Sequence, residues 1–218
     1  MKIALLGRGK TGSKVLLNKN HQIIAFDSKN QPNFEKLETF DAIISFLPGE
    51  VFKSYIPLLI ETKLPVVTGS TGFEWPENLD QILSDKKISW IYASNFSMGV
   101  AVIKQMMSKL AQAKSMFPQH KTSIHEIHHT QKLDAPSGTA LSMESWMHEK
   151  CTITSERQGD VIGFHELVFD TGSEKIKLSH EALDRQLFAD GAVWAAEYLY
   201  KNKTPGLNNF QEIIERNL

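Results

Sequence analysis

Between Glu126 and Thr139 the chain reads Glu-Ile-His-His-Thr-Gln-Lys-Leu-Asp-Ala-Pro-Ser-Gly-Thr. His128 and His129 are adjacent, Lys132 and Asp134 follow, and Ser137, Gly138 and Thr139 close the run. These residue types can move protons and hold an anion. A histidine titrates near neutrality, and a lysine beside other cations can donate a proton. Upstream, residues 121–127 are rich in β-branched types and predict a strand. Downstream, Ala140, Met143, Trp146 and Met147 recur at helical spacing and predict a helix from Thr139 to Glu149. Ser137, Gly138 and Thr139 then fall at a helix start, where free N–H groups and the helix dipole attract anions. Gly138 permits close backbone approach, two hydroxyls lie beside it, and a carboxylate-bearing substrate suits the loop. Pro-Ser-Gly-Thr alone is equally the mark of a plain helix cap. It is the whole cluster that points to chemistry.

His125-Glu126-Ile127-His128-His129 formally matches the zinc-peptidase pattern H-E-x-x-H. That pattern works on a helix, where its two histidines share a face. On a strand, His125 and His129 stand roughly 13 Å apart at ~3.3 Å per residue, too far to share one zinc. No metal is expected.

A second stretch with chemical meaning opens the chain. Residues 3–6 predict a short buried strand, followed by Gly7-Arg8-Gly9-Lys10-Thr11-Gly12 and a helix through Val15, Leu16 and Leu17. A further strand, 21–26, ends at Asp27. G-x-G-x-x-G between a strand and a helix, with an acid twenty residues after the first glycine, is a dinucleotide fingerprint. Gly7 makes the tight turn, Gly9 admits the pyrophosphate and Gly12 allows close helix packing. Asp27 would accept hydrogen bonds from the adenosine ribose and favour NADH, while Lys10 or Lys29 would reach a 2′-phosphate, so NADH and NADPH both stay open.

The elements that must position these residues follow the same alternation. Residues 42–47 predict a buried strand, closed by Pro48-Gly49, and a helix from about Val51 to Glu61 is bent or shortened by Pro57. Residues 65–68 predict a strand ending in a second glycine turn, Gly69-Ser70-Thr71-Gly72. Trp75-Pro76-Glu77 predicts a helix start, and 88–93 another strand, followed by Ser94-Asn95-Phe96. Strands alternating with helices argue a parallel, doubly wound sheet, with ligands at the carboxyl ends of its strands. A core helix is expected over 100–116 and a hairpin around Thr171-Gly172-Ser173. His165 and His180 are read as structural strand histidines. A helix over 185–200, a loop at 203–207 and a short helix over 210–216 end the chain.

The totals agree with a globular protein. Apolar residues make up 41% and charged residues 22% of 218, as in ordinary soluble domains. A net charge of −1 gives no support for a nucleic-acid or membrane partner. One cysteine, Cys151, excludes an intrachain disulfide and suits a reducing compartment, so a cytoplasmic location is expected.

The long motif E-x-H-H-x-x-K-x-D-A-P-S-G-T-A resembles the signature of the 4-hydroxy-tetrahydrodipicolinate reductase (dihydrodipicolinate reductase) family of the diaminopimelate and lysine pathway. Other stretches agree in order. Gly69-Ser-Thr-Gly72 is similar to the family's Gly-Thr-Thr-Gly. Ser94-Asn-Phe-Ser-Met-Gly-Val100 resembles its Ala-Asn-Phe-Ser-x-Gly-Val. Arg157-Gln-Gly-Asp-Val-Ile-Gly-Phe-His165 resembles Arg-x-Gly-Asp-x-x-Gly-x-His, and Phe188-Ala-Asp-Gly-Ala192 resembles Phe-Ala-x-Gly-Ala. Departures are local: Gly9-Lys-Thr-Gly12 stands where the family has Gly-Arg-Met-Gly, Ser28 where a basic residue is frequent, and Phe164 where a glutamate is usual.

The resemblance implies an α/β protein: a Rossmann-type dinucleotide-binding domain plus an α+β substrate and oligomerisation domain with an open mixed sheet. It implies a first domain of residues 1–96 and 190–218, with the C-terminal tail returning to it, and a second of 97–189. It implies NAD(P)H-dependent reduction of (4S)-4-hydroxy-2,3,4,5-tetrahydrodipicolinate, a cyclic dicarboxylate imine, by a homotetramer with no nucleic-acid or membrane partner. His128 and Lys132 are then catalytic. His129, Ser137, Gly138, Thr139 and Arg157 hold substrate carboxylates. Cofactor contacts come from Gly7, Arg8, Gly9, Lys10, Thr11, Gly12 and Asp27, then Gly69, Ser70 and Thr71, then Ala93, Ser94, Asn95 and Phe96. Binding is expected to close the cleft between domains. Another amino-acid-type dehydrogenase explains the glycine loop equally well but leaves the histidine loop unused; a dinucleotide sensor predicts binding without turnover.

Overall fold

A computed structural model describes residues 1–218. The chain forms two compact units, Met1–Ser97 with Arg185–Leu218, and Met98–Asp184.

The first unit is built on six parallel strands in the order β10-β5-β4-β3-β1-β2. They are β1 (Lys2–Leu6), β2 (Gln22–Phe26), β3 (Ala42–Ser45), β4 (Val66–Thr68), β5 (Ser89–Tyr92) and β10 (Gly206–Asn209). β1, β3 and β4 are near-continuous apolar runs because helices cover both faces of a parallel sheet. The helices are α1 (Gly12–Val15), α2 (Phe34–Leu37), α3 (Gly49–Thr62), α4 (Leu79–Asp85), α7 (Gln186–Asn202) and α8 (Phe210–Glu215). A core of Leu6, Phe26, Phe40, Ile43, Phe52 and Trp90 lies on one side of the sheet.

Some local expectations shift. α3 runs on through Pro57, because Phe52, Ile56 and Leu59 drive its apolar face into the core. α1 is a single turn ending at Val15 instead of continuing through Leu17. α4 begins at Leu79, beyond the Trp75-Pro76-Glu77 start. The expected loop at 203–207 gives way to β10, which joins the sheet edge beside β5. Gly206-Leu-Asn-Asn209 has no strand pattern of its own; its place is fixed by pairing.

The second unit is a four-stranded mixed sheet in the order β7-β6-β8-β9. β6 (Lys121–His128) pairs parallel with β7 (Thr152–Arg157) and antiparallel with β8 (Gly163–Asp170), which pairs antiparallel with β9 (Lys175–Ala182). α5 (Met98–Ala113), a 3₁₀ turn and α6 (Gly138–Met147) complete it. Met107 and Leu110 of α5 and Ala140, Met143 and Met147 of α6 bury against Ile124, Leu167 and Phe169 of the sheet. β6 and β8 alternate strictly, so every second residue faces this core and its neighbours face away. Thr122, Ile124, Glu126 and His128 are the buried set of β6.

Candidate active site

The glycine turn after β1 is forced by close backbone approach. Gly7 has φ +95°, a region L side chains rarely adopt, and a Cβ on it would stand 3.0 Å from the Phe46 carbonyl oxygen. A Cβ on Gly12 would collide with the Gly7 carbonyl oxygen, so the first turn of α1 sits directly on the loop. Gly9 is exposed with nothing within 4 Å of its missing Cβ, which leaves an open approach to the backbone. Arg8 and Lys10 are exposed beside it, and Thr11 precedes α1.

At the end of β2, Asp27 Oδ1 accepts hydrogen bonds from the Lys29 N–H (2.9 Å) and the Asn30 N–H (3.1 Å). These bonds, with Arg8 at 3.6 Å, hold its carboxyl below the usual range, so it is an anion at neutral pH. Beside it lies a cavity of about 240 Å³ lined by Leu6, Phe26, Gln31, Leu47, Val51 and Tyr55 among others. An apolar slot next to an ionised acceptor fits an adenosine. These lining residues carry no motif; only the placing of β1, β2 and β3 side by side assembles them.

Two more segments lie at the carboxyl ends of adjacent strands. After β4, a Cβ on Gly69 would press into the Phe46 ring, the Ser70 N–H donates to Thr68 Oγ1 (3.1 Å), and Thr71 is exposed. After β5, the Ala93 N–H donates to the Thr68 carbonyl (3.1 Å) and the Ser97 N–H to Asn95 Oδ1 (2.8 Å). Ser94 is exposed, whereas Phe96 is buried against Phe46 and Phe210. Phe96 is therefore a floor beneath the segment. The first unit thus gathers all four expected cofactor segments at one end of its sheet. A nicotinamide dinucleotide fits this donor-rich, glycine-lined edge, with the Asp27 carboxylate and the apolar slot for its adenosine half.

In the second unit the strand–loop–helix expectation holds with small shifts, the strand reaching His128 and the helix starting at Gly138. Ser137 caps α6, its Oγ accepting from the Ala140 N–H at 3.2 Å, and the exposed Gly138 follows. His128 is buried, with Nδ1 3.6 Å from Glu126 Oε2. Burial pushes the His128 imidazole below its ordinary pKa; Glu126 opposes this, and Lys132 and Arg157 add to it. Lys132 Nζ is paired with both oxygens of Asp134, at 2.8 and 2.9 Å. His129 and Thr139 are half-exposed on either side of the loop.

Arg157 is turned onto this loop. Its Nε donates to the Lys132 carbonyl (3.1 Å), Nη2 to the Asp134 carbonyl and Nη1 to the Glu156 carbonyl (2.7 Å). It braces the loop backbone here, and a carboxylate would have to displace a carbonyl to reach it.

Two residues acquire a place that sequence reasoning did not give them. Glu126 has no exposed surface, and its Oε1 accepts from the Ser137 N–H at 3.0 Å. Burial opposes its ionisation, but hydrogen bonds from Ser137 and Ser155 and the nearby His128 outweigh burial and hold its carboxyl below the usual range. His165, expected to be structural, stands with Nε2 3.6 Å from Glu126 Oε2 and 3.2 Å from Ser137 Oγ. Its partners were invisible because Glu126 and His165 meet only through the β6–β8 register. The i, i+2 spacing of Glu126 and His128 was the available signal. The H-E-x-x-H match dissolves on β6: His125 faces away from Glu126 and bonds Thr154 Oγ1 at 2.9 Å.

Comparison with known proteins agrees with this fold. Residues 99–214 match the family model described as dihydrodipicolinate reductase, C-terminus. A 4-hydroxy-tetrahydrodipicolinate reductase of Christiangramia forsetii is 34% identical, over 98% of both chains. One from Bdellovibrio bacteriovorus is 35% identical over 83% of this chain and 79% of its own. Among solved structures, a dipicolinate-bound dihydrodipicolinate reductase from Paenisporosarcina sp. TG-14 shares the fold, with a TM-score of 0.77 at 23% identity over 98% and 99% of the two chains. With the family model matching over half its length and a relative aligned end to end, this chain belongs to the dihydrodipicolinate reductase family.

Proposed function

We propose that the protein reduces (4S)-4-hydroxy-2,3,4,5-tetrahydrodipicolinate to tetrahydrodipicolinate with NADH or NADPH, releasing water. The observation that carries this reading is the buried His128 beside an ionised Glu126, under a helix start whose N-cap is Ser137. The bound nicotinamide would supply hydride to the ring carbon that loses the hydroxyl.

The residues of the second unit do the rest. Backbone N–H groups of Gly138 and Thr139, with the Thr139 hydroxyl and His129, hold a carboxylate at the positive end of α6. Lys132, released from Asp134, donates to the ring nitrogen or a second carboxylate. His128 transfers the proton that balances the hydride. An incoming dianion favours the charged imidazole and offsets the burial that disfavours it. Arg157 keeps residues 132–134 in place and exchanges a carbonyl for a carboxylate when substrate binds. That a relative of the same fold was solved with dipicolinate, a planar dicarboxylate, supports the choice of substrate class.

Asp27 and Arg8 set cofactor choice. Asp27 accepts from the ribose of NADH, and Arg8, 3.6 Å from Asp27, turns to a 2′-phosphate when NADPH binds. Residues 1–97 with 185–218 serve the cofactor, and 98–184 serve the substrate. The far face of the mixed sheet, with Phe164, Glu166 and Val168 half-exposed, is the surface through which a homotetramer would assemble. No helix is long and apolar enough to cross a membrane.

The test is loss of reduced-nicotinamide absorbance with substrate made in place from pyruvate and aspartate semialdehyde by the preceding synthase. Turnover dependent on this protein supports the reading. Cofactor binding without turnover contradicts it.

A further inference from the structure

Besides Ser155, four groups converge on one buried carboxylate, and the reaction above assigns a chemical step to only one of them. Glu126 Oε1 takes the Ser137 N–H at 3.0 Å and faces Arg157 Nη2 at 3.6 Å. Oε2 lies 3.6 Å from His128 Nδ1 and 3.6 Å from His165 Nε2, and has no hydrogen bond of its own. The Nδ1 atoms of both histidines are likewise buried without a hydrogen-bond partner. An ionised carboxylate with no exposed surface is costly to fold around. A leucine at this position would fill the space beside Ile124 at no such cost, so the charge calls for a use.

We propose that Glu126 is a positioning residue for His128. Its carboxylate faces Nδ1, turns the ring so that Nε2 is the atom that exchanges the proton, and supplies the negative charge that lets His128 carry that proton inside the fold. His165 is the neutral link that ties the same carboxylate to Ser137, and through it to the start of α6. The inference rests on His128 being the proton donor.

The geometry supports each part. Gly163 packs against the Nε2 edge of the His128 ring; a Cβ there would stand 3.2 Å from Nε2, a tight contact that glycine avoids. The two rings sit 5.0 Å apart at 73°, edge to face, and so approach one carboxylate without stacking. His165 Nε2 has a second partner in Ser137 Oγ, the atom that also accepts from the Ala140 N–H. A carboxylate arriving at Gly138 and Thr139 therefore lands on the turn that holds Glu126 in place.

The charges support the division of labour. Burial pushes His165 down to about 4, so it is neutral and does not compete for Glu126. His180, opposite it on β9, is also held below its ordinary value by burial. His128 sees Lys132 from the loop and Arg157 from β7, both opposing its protonation, and Asp134 and Glu126 favouring it. Of the two acids, only Glu126 is fully buried, while Asp134 is exposed. Glu126, His128 and His165 also offer atoms within 4.8 Å of one another, a spacing a divalent cation could use. Arg157 and Lys132 already place two positive charges in the same field and favour the proton reading over the metal one.

The test compares pH–rate profiles of the wild type, Glu126→Gln, Glu126→Asp and His128→Gln, with nucleotide affinity measured alongside. In the wild type, turnover falls at alkaline pH as the donor loses its proton. Glu126→Gln is expected to move that limb down by about one pH unit or more, with turnover near neutrality lowered tenfold or beyond. Nucleotide affinity should stay within about twofold, and Glu126→Asp should shift the limb less, in the same direction. His128→Gln should lose activity at every pH. An unchanged limb in Glu126→Gln, beside an inactive His128→Gln, overturns the positioning role and leaves the donor assignment standing. An active His128→Gln overturns the donor assignment itself. If Glu126→Gln fails to fold, an unshifted limb in Glu126→Asp overturns the proposal on its own.

Discussion

The carboxyl edge of the parallel sheet and the β6–α6 loop of the second unit are the two proposed ligand sites, and they are built from different material. The first is made of backbone. Gly7, Gly12 and Gly69 each occupy a space that a Cβ would close, and the one acid, Asp27, is held by N–H groups of the following turn. The second is made of buried ionisable side chains, with Glu126, His128 and His165 all under a tenth exposed. A backbone site tolerates many ligand variants and depends on the chain's path. A side-chain site depends on which proton sits where. Substitutions should therefore act by shape in the first and by charge in the second.

The largest effect is expected at the proposed proton donor. His128→Gln should lower turnover by about two orders of magnitude or more while nucleotide affinity is unchanged, as steady-state kinetics and cofactor titration would show. Gly12→Val should do the reverse. Its side chain would strike the Gly7 carbonyl, so nucleotide affinity should collapse and thermal stability fall with it. Asp27→Ala should act more gently, raising the KM for NADH and shifting preference toward NADPH, for which Arg8 is then free. A variant that weakened both cofactors equally would break the reading of the Asp27–Arg8 pair.

A smaller effect separates the second unit's chemistry from its stability. His120 Nδ1 lies 2.6 Å from the Phe117 carbonyl and Nε2 lies 2.9 Å from Glu149 Oε2, so both nitrogens face acceptors. Hydrogen bonding to Glu149 and to the Phe117 carbonyl raises its pKa. A raised folded-state value means this contribution is fully present below the unfolded value and is lost as pH rises through the folded one. Replacing His120 by Gln should therefore lower the melting temperature more at about pH 6 than at about pH 9. The smallest effect is expected at Ser137→Ala, whose lost cap should cost about 1 kcal/mol of stability by denaturant titration.

The same contrast explains what could be read from the sequence. The backbone site was legible as a motif, because glycine at 7, 9 and 12 and an acid at 27 are fixed by geometry every such loop shares. His128, Lys132 and the capped start of α6 were legible because their spacing is local. Glu126 and His165 were not, since β6 and β8 bring them together from 39 positions apart through a register no local pattern encodes. Leu47, Val51 and Tyr55 of the slot beside Asp27 carry no signal for the same reason, being ordinary apolar residues until three strands align. Residues 206–209 carry a loop's composition, and it is their pairing with β5 that makes them the strand β10.

The most direct test of the account is the pH dependence of turnover for Glu126→Gln against the wild type, with reduced nicotinamide and the cyclic dicarboxylate imine. A downward shift of the alkaline limb, with nucleotide affinity intact, is what a charge-built site predicts. A superimposable profile would contradict it and reduce Glu126 to a packing residue.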